Sequence, residues 1–190
     1  TGELVPLLFA TKYPDGNRRK APLQVVAGNG FRNFFHGLQK VYGHWIELPA
    51  DRFSIRELNT SRPDNLQCEG FSLASRPMIH SPESVAFRLT APTGHSLVYS
   101  GDTDVTPELA ALAAEADLLI CECAMPDEGK VPGHLTPSEA GRLANEANVK
   151  QLILTHFYPE CETVNIAAQC RRTYSGELML GQDLTAVEIG

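Results

Sequence analysis

Leu97-Val-Tyr-Ser-Gly-Asp-Thr103 sets a lone carboxylate, Asp102, immediately beyond a short apolar run. That is the pattern of a buried strand ending in an acid. Two other apolar runs end in a similar way: Leu73 to Ile79 leads into His80, and Leu152-Ile153-Leu154-Thr155 leads into His156. Side chains just past the strand ends of an α/β sheet gather in one crevice outside it, so residues far apart in sequence meet there. An imidazole, a carboxylate and a second imidazole suit half of a metal site.

Working outward, 190 residues of which 43% are hydrophobic and 21% charged suit a globular chain with a real core. No apolar run approaches the roughly 20 residues of a membrane span, and residues 1 to 20 do not order themselves as a signal sequence. The five cysteines, Cys68, Cys121, Cys123, Cys161 and Cys170, include no CxxC pair, which disfavours a disulfide framework and a thiolate zinc site and fits a reducing cytoplasm. Cys121 and Cys123 flank Glu122 with strand periodicity, both sulfurs on one face and the carboxylate on the other, and read as plain buried thiols. The net charge of −7 disfavours nucleic acid as a partner, because a broad footprint needs Lys and Arg to displace counterions from phosphates.

Thr1 to Tyr13 reads as a helix, with Leu4, Leu7 and Leu8 on one face. Tyr13-Pro-Asp-Gly-Asn17 is a turn by its chemistry, followed by a solvated basic loop over Arg18 to Lys20. Leu23 to Ala27 is expected as a short buried strand. Gly28 to Asn33 is a strand-to-helix turn and not a dinucleotide loop, since Asn33 stands where the third glycine is needed. Phe31, Phe34, Phe35, Leu38, Val41 and Tyr42 share one helix face, expected in the core. Trp45 to Leu48, Phe53 to Leu58 and Gly70 to Ile79 read as strands, and Val85 to Leu89 pairs with Ser96 to Tyr99 across Ala91-Pro-Thr-Gly94. From Thr106 the rhythm becomes helix and strand in alternation. Thr106-Pro107 caps one helix, and Leu118 to Cys123 is the next strand. Thr136-Pro-Ser-Glu139 is a capping box before a stripe of Ala140, Leu143, Ala144 and Ala147. A strand into His156, a helix near Thr163 to Tyr174 and a hairpin through Gly181-Gln-Asp183 close the chain. His36, His44, His95 and Asp104 read as surface groups.

His80 in Met-Ile-His-Ser-Pro, Asp102 in Ser-Gly-Asp-Thr, His134 in Gly-His-Leu-Thr-Pro-Ser-Glu-Ala and His156 in Leu-Thr-His-Phe resemble, in order, the successive motifs of the metallo-β-lactamase superfamily, nearest its ribonuclease Z-like branch. The resemblance implies an α/β fold, the αβ/βα sandwich, with two divalent metal ions, zinc or manganese, at one edge between two sheets. His80 would hold one metal, His156 the other, and Asp102 would bridge them. Such a pair lowers the pKa of a bridging water and polarises the bond under attack. His134 would stabilise the reacting group or protonate its leaving oxygen, with Glu122 orienting it. The implied activity is hydrolysis of a small phosphodiester or other ester.

Two departures qualify that picture. The superfamily signature His-x-His-x-Asp-His is absent from these residues. In the resembled family it directly precedes a helix like Thr1 to Tyr13, so the expectation is one hydrolase domain over 1–190, incomplete at its N-terminus, inactive as given and prone to pair as a homodimer. The link from His80 to Asp102 is also too short for the protruding arm by which ribonuclease Z grips transfer RNA, which sets a small ester ahead of RNA. The competing expectation is a non-catalytic relative with a degenerate metal site.

Overall fold

The computed structural model describes residues 2–12 and 21–189. The expected Tyr13 to Asn17 turn and the basic loop after it lie outside the described residues. The chain divides into two compact units, Thr1–Leu58 and Asn59–Gly190.

In the first unit, α1 (Leu4–Lys12) precedes β1 (Leu23–Gly28), α2 (Phe31–Tyr42) and β2 (Phe53–Leu58). The two strands pair in parallel, from Leu23 opposite Phe53 to Gly28 opposite Leu58. Leu8, Phe35 and Ile46 form the buried centre, and Gly30, at φ 96, turns β1 into α2 as expected. The aromatic face of α2 is buried only in part. Phe34, Val41 and Tyr42 are exposed, because two strands about 4.8 Å apart cannot cover a wide stripe on a helix about 10 Å across. The same narrowness leaves β1 half-buried where a buried strand was expected. Trp45 to Leu48 is not a strand: Gly43, at φ 55, ends α2 and starts a 3₁₀ turn, Gly43–Ile46, in which the His44 and Trp45 rings lie 4.6 Å apart.

The second unit carries a seven-stranded sheet, ordered β3 (Asp64–Cys68), β4 (Phe71–Pro77), β5 (Val85–Thr90), β6 (Ser96–Tyr99), β7 (Leu118–Glu122), β8 (Gln151–Thr155) and β9 (Glu177–Leu180). Pairing is antiparallel from β3 to β6 and parallel from β6 to β9. Consequently β4, β6, β7, β8 and β9 all run in one direction. Asp64-Asn-Leu-Gln-Cys68 has little strand propensity of its own. It becomes β3 because Leu66 pairs with Leu73 across a tight turn in which Gly70 takes φ 82.

Three helices, α3 (Pro107–Ala113), α4 (Pro137–Glu146) and α5 (Ile166–Cys170), pack on this sheet. Leu109, Leu112 and Leu143 meet Leu119, Leu152 and Leu154 in the core. Thr106 caps α3 through the Glu108 N–H, and the Thr136/Glu139 capping box forms on α4. α3 ends without a basic residue of its own, and Arg88 of β5 donates instead to its last carbonyls, Leu112 O at 2.9 Å and Ala114 O at 2.7 Å, which suits the negative helix end. α5 is shorter than expected: Asn165 caps it late, and Thr173 and Tyr174 turn away to donate to Ser138 O and Val149 O. The closing segment is not a hairpin, since β9 pairs in parallel with β8 and no strand follows it among the described residues. Cys121 and Cys123 are buried free thiols. Among the described residues no helix is long and apolar enough to cross a membrane.

Gly141 explains itself by close approach: a Cβ there would lie 2.8 Å from Cys170 O and 2.5 Å from Thr173 Oγ1. Gly141→Ala should therefore destabilise the protein by about 1–3 kcal/mol through overpacking, despite alanine's better helix propensity, as urea unfolding will measure. At the opposite edge from the carboxyl strand ends, Asp117 accepts from Lys150 Nζ and from the Ser96 N–H, which hold its carboxyl below the ordinary value. A depressed folded pKa stabilises above the unfolded value of about 4 and loses that stabilisation as pH falls through the folded one. Lys150 is exposed, so water screens its ion pair and reduces what that pair adds to stability. Asp117→Asn should cost about 1 kcal/mol at pH 7, a gap that closes below about pH 4 in unfolding titrations.

Candidate metal centre

His80 follows β4, Asp102 follows β6, Glu122 ends β7 and His156 follows β8. Because these four strands run one way, their carboxyl ends share one edge of the sheet. The loops there are stitched together by backbone and hydroxyl groups. The Ile79 N–H donates to Thr103 Oγ1 at 3.1 Å and the Asp104 N–H to Ile79 O at 2.8 Å, drawing the His80 segment onto the Asp102 segment. Ser100 Oγ accepts from the Glu122 N–H at 2.9 Å, and the Cys123 N–H donates to Thr155 O at 2.8 Å.

Asp102 stands between two imidazoles, Oδ2 3.9 Å from His80 Nε2 and Oδ1 3.7 Å from His156 Nε2. His134, on the loop before α4, joins them: ligand atoms of His80, Asp102 and His134 all lie within 4.8 Å of one another. The His134 ring is 4.8 Å from that of His80 and 5.5 Å from that of His156. The structure thus brings together every residue expected at the site. His95 lies instead at the opposite edge, 4.0 Å from Asp117.

Backbone conformation places these side chains. His156 itself takes φ 64, and Gly101 and Gly133, immediately before Asp102 and His134, take φ 58 and 88. For a histidine the left-handed region costs about 1–2 kcal/mol, strain of the kind stored at functional sites. Gly133 is doubly constrained, since a Cβ there would stand 3.2 Å from His80 Nδ1.

The partners of the rings set their tautomers. His80 Nδ1 lies 3.1 Å from Gly133 O, which can only accept, so Nδ1 carries the proton and the lone pair sits on Nε2. Two electron-pair donors, His80 Nε2 and Asp102 Oδ2, then face each other across 3.9 Å, an arrangement that a cation between them stabilises. His134 Nδ1 lies 3.0 Å from Glu122 Oε1, leaving its Nε2 as the free nitrogen. A carbonyl behind His80 and a carboxylate behind His134 orient these two rings in the way outer partners orient metal-site imidazoles. The donor set, imidazole nitrogens and a carboxylate, fits a divalent metal ion.

Glu122 is almost wholly buried. Burial pushes its carboxyl above the ordinary value, against the pull of donors from Thr103 N–H, His134 and Leu135 N–H. Burial, together with the charges of Asp102 and Glu122, also raises Tyr99.

Asp104, expected as a surface group, is part of the assembly: its Oδ2 accepts from the Gly133 N–H at 2.9 Å and its Oδ1 from Lys130 Nζ at 2.6 Å. Gly133, Lys130 and Tyr158 carried no reading of their own in the sequence. The Tyr158 ring lies 5.5 Å from that of His156 and 5.9 Å from that of His134. Only Gly133, directly before a site histidine, offered a visible signal.

A family model described as a beta-lactamase superfamily domain matches residues 37–157. An uncharacterized protein of Mycobacterium bovis is 33% identical over 137 residues, covering 71% of this chain and 50% of that protein. Ribonuclease Z of Thermobifida fusca is 30% identical over 161 residues, covering 78% and 50%. The chain spans about half the length of these curated relatives. The metallo-β-lactamase fold protein YhfI from Bacillus subtilis superposes with a TM-score of 0.74 over 95% of this chain and 69% of that one, at 24% identity, a likeness that shows the shared α/β sandwich fold. The chain belongs to the metallo-β-lactamase superfamily and is related there to ribonuclease Z.

Proposed function

We propose that this chain carries the metal-binding and proton-donating part of a metal-dependent hydrolase that cleaves a phosphodiester or related ester. The observation that supports it best is Asp102 offering one oxygen to His80 and the other to His156, the posture of a carboxylate shared between two ions. His80, Asp102 and His156 would hold the metals, zinc before manganese on the chemistry of nitrogen and oxygen donors. Bound divalent ions supply an acidified water and polarise the ester under attack.

The protein's own part is orientation and proton delivery. Gly133 O fixes the His80 ring, so that its Nε2 is presented without reorganisation. Glu122 holds His134 by Nδ1, and with both ring nitrogens protonated the Nε2–H gives its proton to the departing oxygen. Tyr158 forms an aromatic wall beside both His134 and His156. The acidic balance of the chain sets a small ester ahead of a polyanion as substrate.

In the full gene product, with bis(p-nitrophenyl) phosphate as substrate, Asp102→Asn should abolish stoichiometric metal by elemental analysis. His134→Ala should lower kcat by roughly 10²–10⁴-fold, the range for a lost general acid, and keep its metal. Glu122→Gln should give a smaller fall. Metal lost with His134 would make it a ligand and overturn its assigned role. A gene product that holds little metal and turns over no ester would instead support the non-catalytic reading.

A further inference from the structure

Lys130 belongs to none of the motifs above, yet it sits at the centre of a network beside the site. Its Nζ donates to Asp104 Oδ1 at 2.6 Å, to Glu139 Oε2 at 2.8 Å and to the His134 carbonyl. Glu139 is already engaged as the acidic member of the α4 capping box, accepting from the Thr136 N–H at 3.0 Å. Asp104 uses its second oxygen on the Gly133 N–H, at 2.9 Å. One ammonium and one carboxylate therefore grip both residues of the Gly133-His134 step and anchor them to the first turn of α4.

What that step delivers gives the grip its meaning. The Gly133 carbonyl accepts from His80 Nδ1, and the His134 ring meets Glu122. We infer that Asp104 and Lys130 are positioning residues, a clamp on the Lys130-to-His134 turn that sets the orientation of His80 and His134 together. The inference rests on His80 being a metal ligand, as proposed above. Three features separate this clamp from an ordinary surface ion pair. The three side chains are only about a quarter to a third exposed (Lys130 31%, Asp104 25%, Glu139 23%). Two of the groups bonded, the Gly133 N–H and the His134 carbonyl, are backbone groups of the turn itself. Gly133, at φ 88, has no side chain to restrict its backbone, so its carbonyl keeps the 3.1 Å contact with His80 only while the turn is held from outside.

The test compares Lys130→Met and Asp104→Asn with Lys150→Met, which removes a salt bridge of similar length to Asp117 at the other edge of the sheet. Two readouts are needed. In metal-free protein, ¹⁵N shifts of the His80 ring report its tautomer. Zinc titration by calorimetry reports affinity. The wild type should show His80 as the Nδ1–H tautomer. Lys130→Met and Asp104→Asn should mix the tautomers and weaken zinc binding roughly tenfold, the low end of the loss seen when a histidine ligand loses its supporting partner. The two substitutions should also be non-additive in the double variant, since they remove one shared contact. Lys150→Met should move neither readout. A His80 ring unchanged in both clamp variants, or one equally disturbed by Lys150→Met, would overturn the inference. If the His80 tautomer shifts as expected but the wild type takes up no zinc, the clamp stands and the metal assignment of the preceding section fails.

Discussion

A carboxyl group with almost no access to water stays in a folded protein only when donors surround it, and Glu122 is such a group. Its oxygens draw N–H groups from Thr103 and Ala124, the Leu135 backbone and the His134 ring. Those donors lie on three separate segments: the loop after β6, the exit from β7 and the loop before α4. Satisfying one buried acid therefore forces the Asp102 loop and the His134 loop into register with the end of β7. Ser100 closes the circle by accepting from the Glu122 N–H. A change that leaves Glu122 short of donors would cost the site its geometry, beyond the roughly 1–3 kcal/mol of an unsatisfied buried polar group.

Much of this arrangement was legible in the chain itself, and for a physical reason. Short unbroken apolar runs bounded by polar residues mark strands, so Leu97 to Tyr99, Leu118 to Cys121 and Leu152 to Leu154 announce themselves, and the polar residue that ends each run marks the sheet edge. Thr106-Pro107 and Thr136 to Glu139 are helix starts whose chemistry is local, and both form as read. His80, Asp102, His134 and His156 were visible as residues; what the sequence could not carry was which nitrogen of each ring faces the others. That depends on Gly133 O and Glu122 Oε1, contacts made across 53 and 12 residues of chain.

The misreadings share a cause. β3 has the composition of a loop and is a strand only because β4 lies beside it. Trp45 to Leu48 has the composition of a strand, but Gly43 redirects the backbone and Trp45 and Ile46 fall in a 3₁₀ turn. α5 stops early because Thr173 and Tyr174 find tertiary partners. Asp104 looked like a solvated acid since no basic residue stands near it in sequence, and its partner Lys130 is 26 residues away. In each case a residue outside the segment outweighed the segment's own preference.

The shared direction of β4, β6, β7 and β8 has a practical corollary. The loops at their carboxyl ends carry the proposed site, whereas the Glu69-Gly70 and Ala91-to-Gly94 turns emerge at the other rim of the same sheet. Those two turns are natural attachment points for a fluorophore, a purification handle or an inserted sensor domain. The length of a strand, roughly 3.3 Å per residue, would separate any such addition from the histidines, so the protein could be tethered or labelled with its reactive face turned outward.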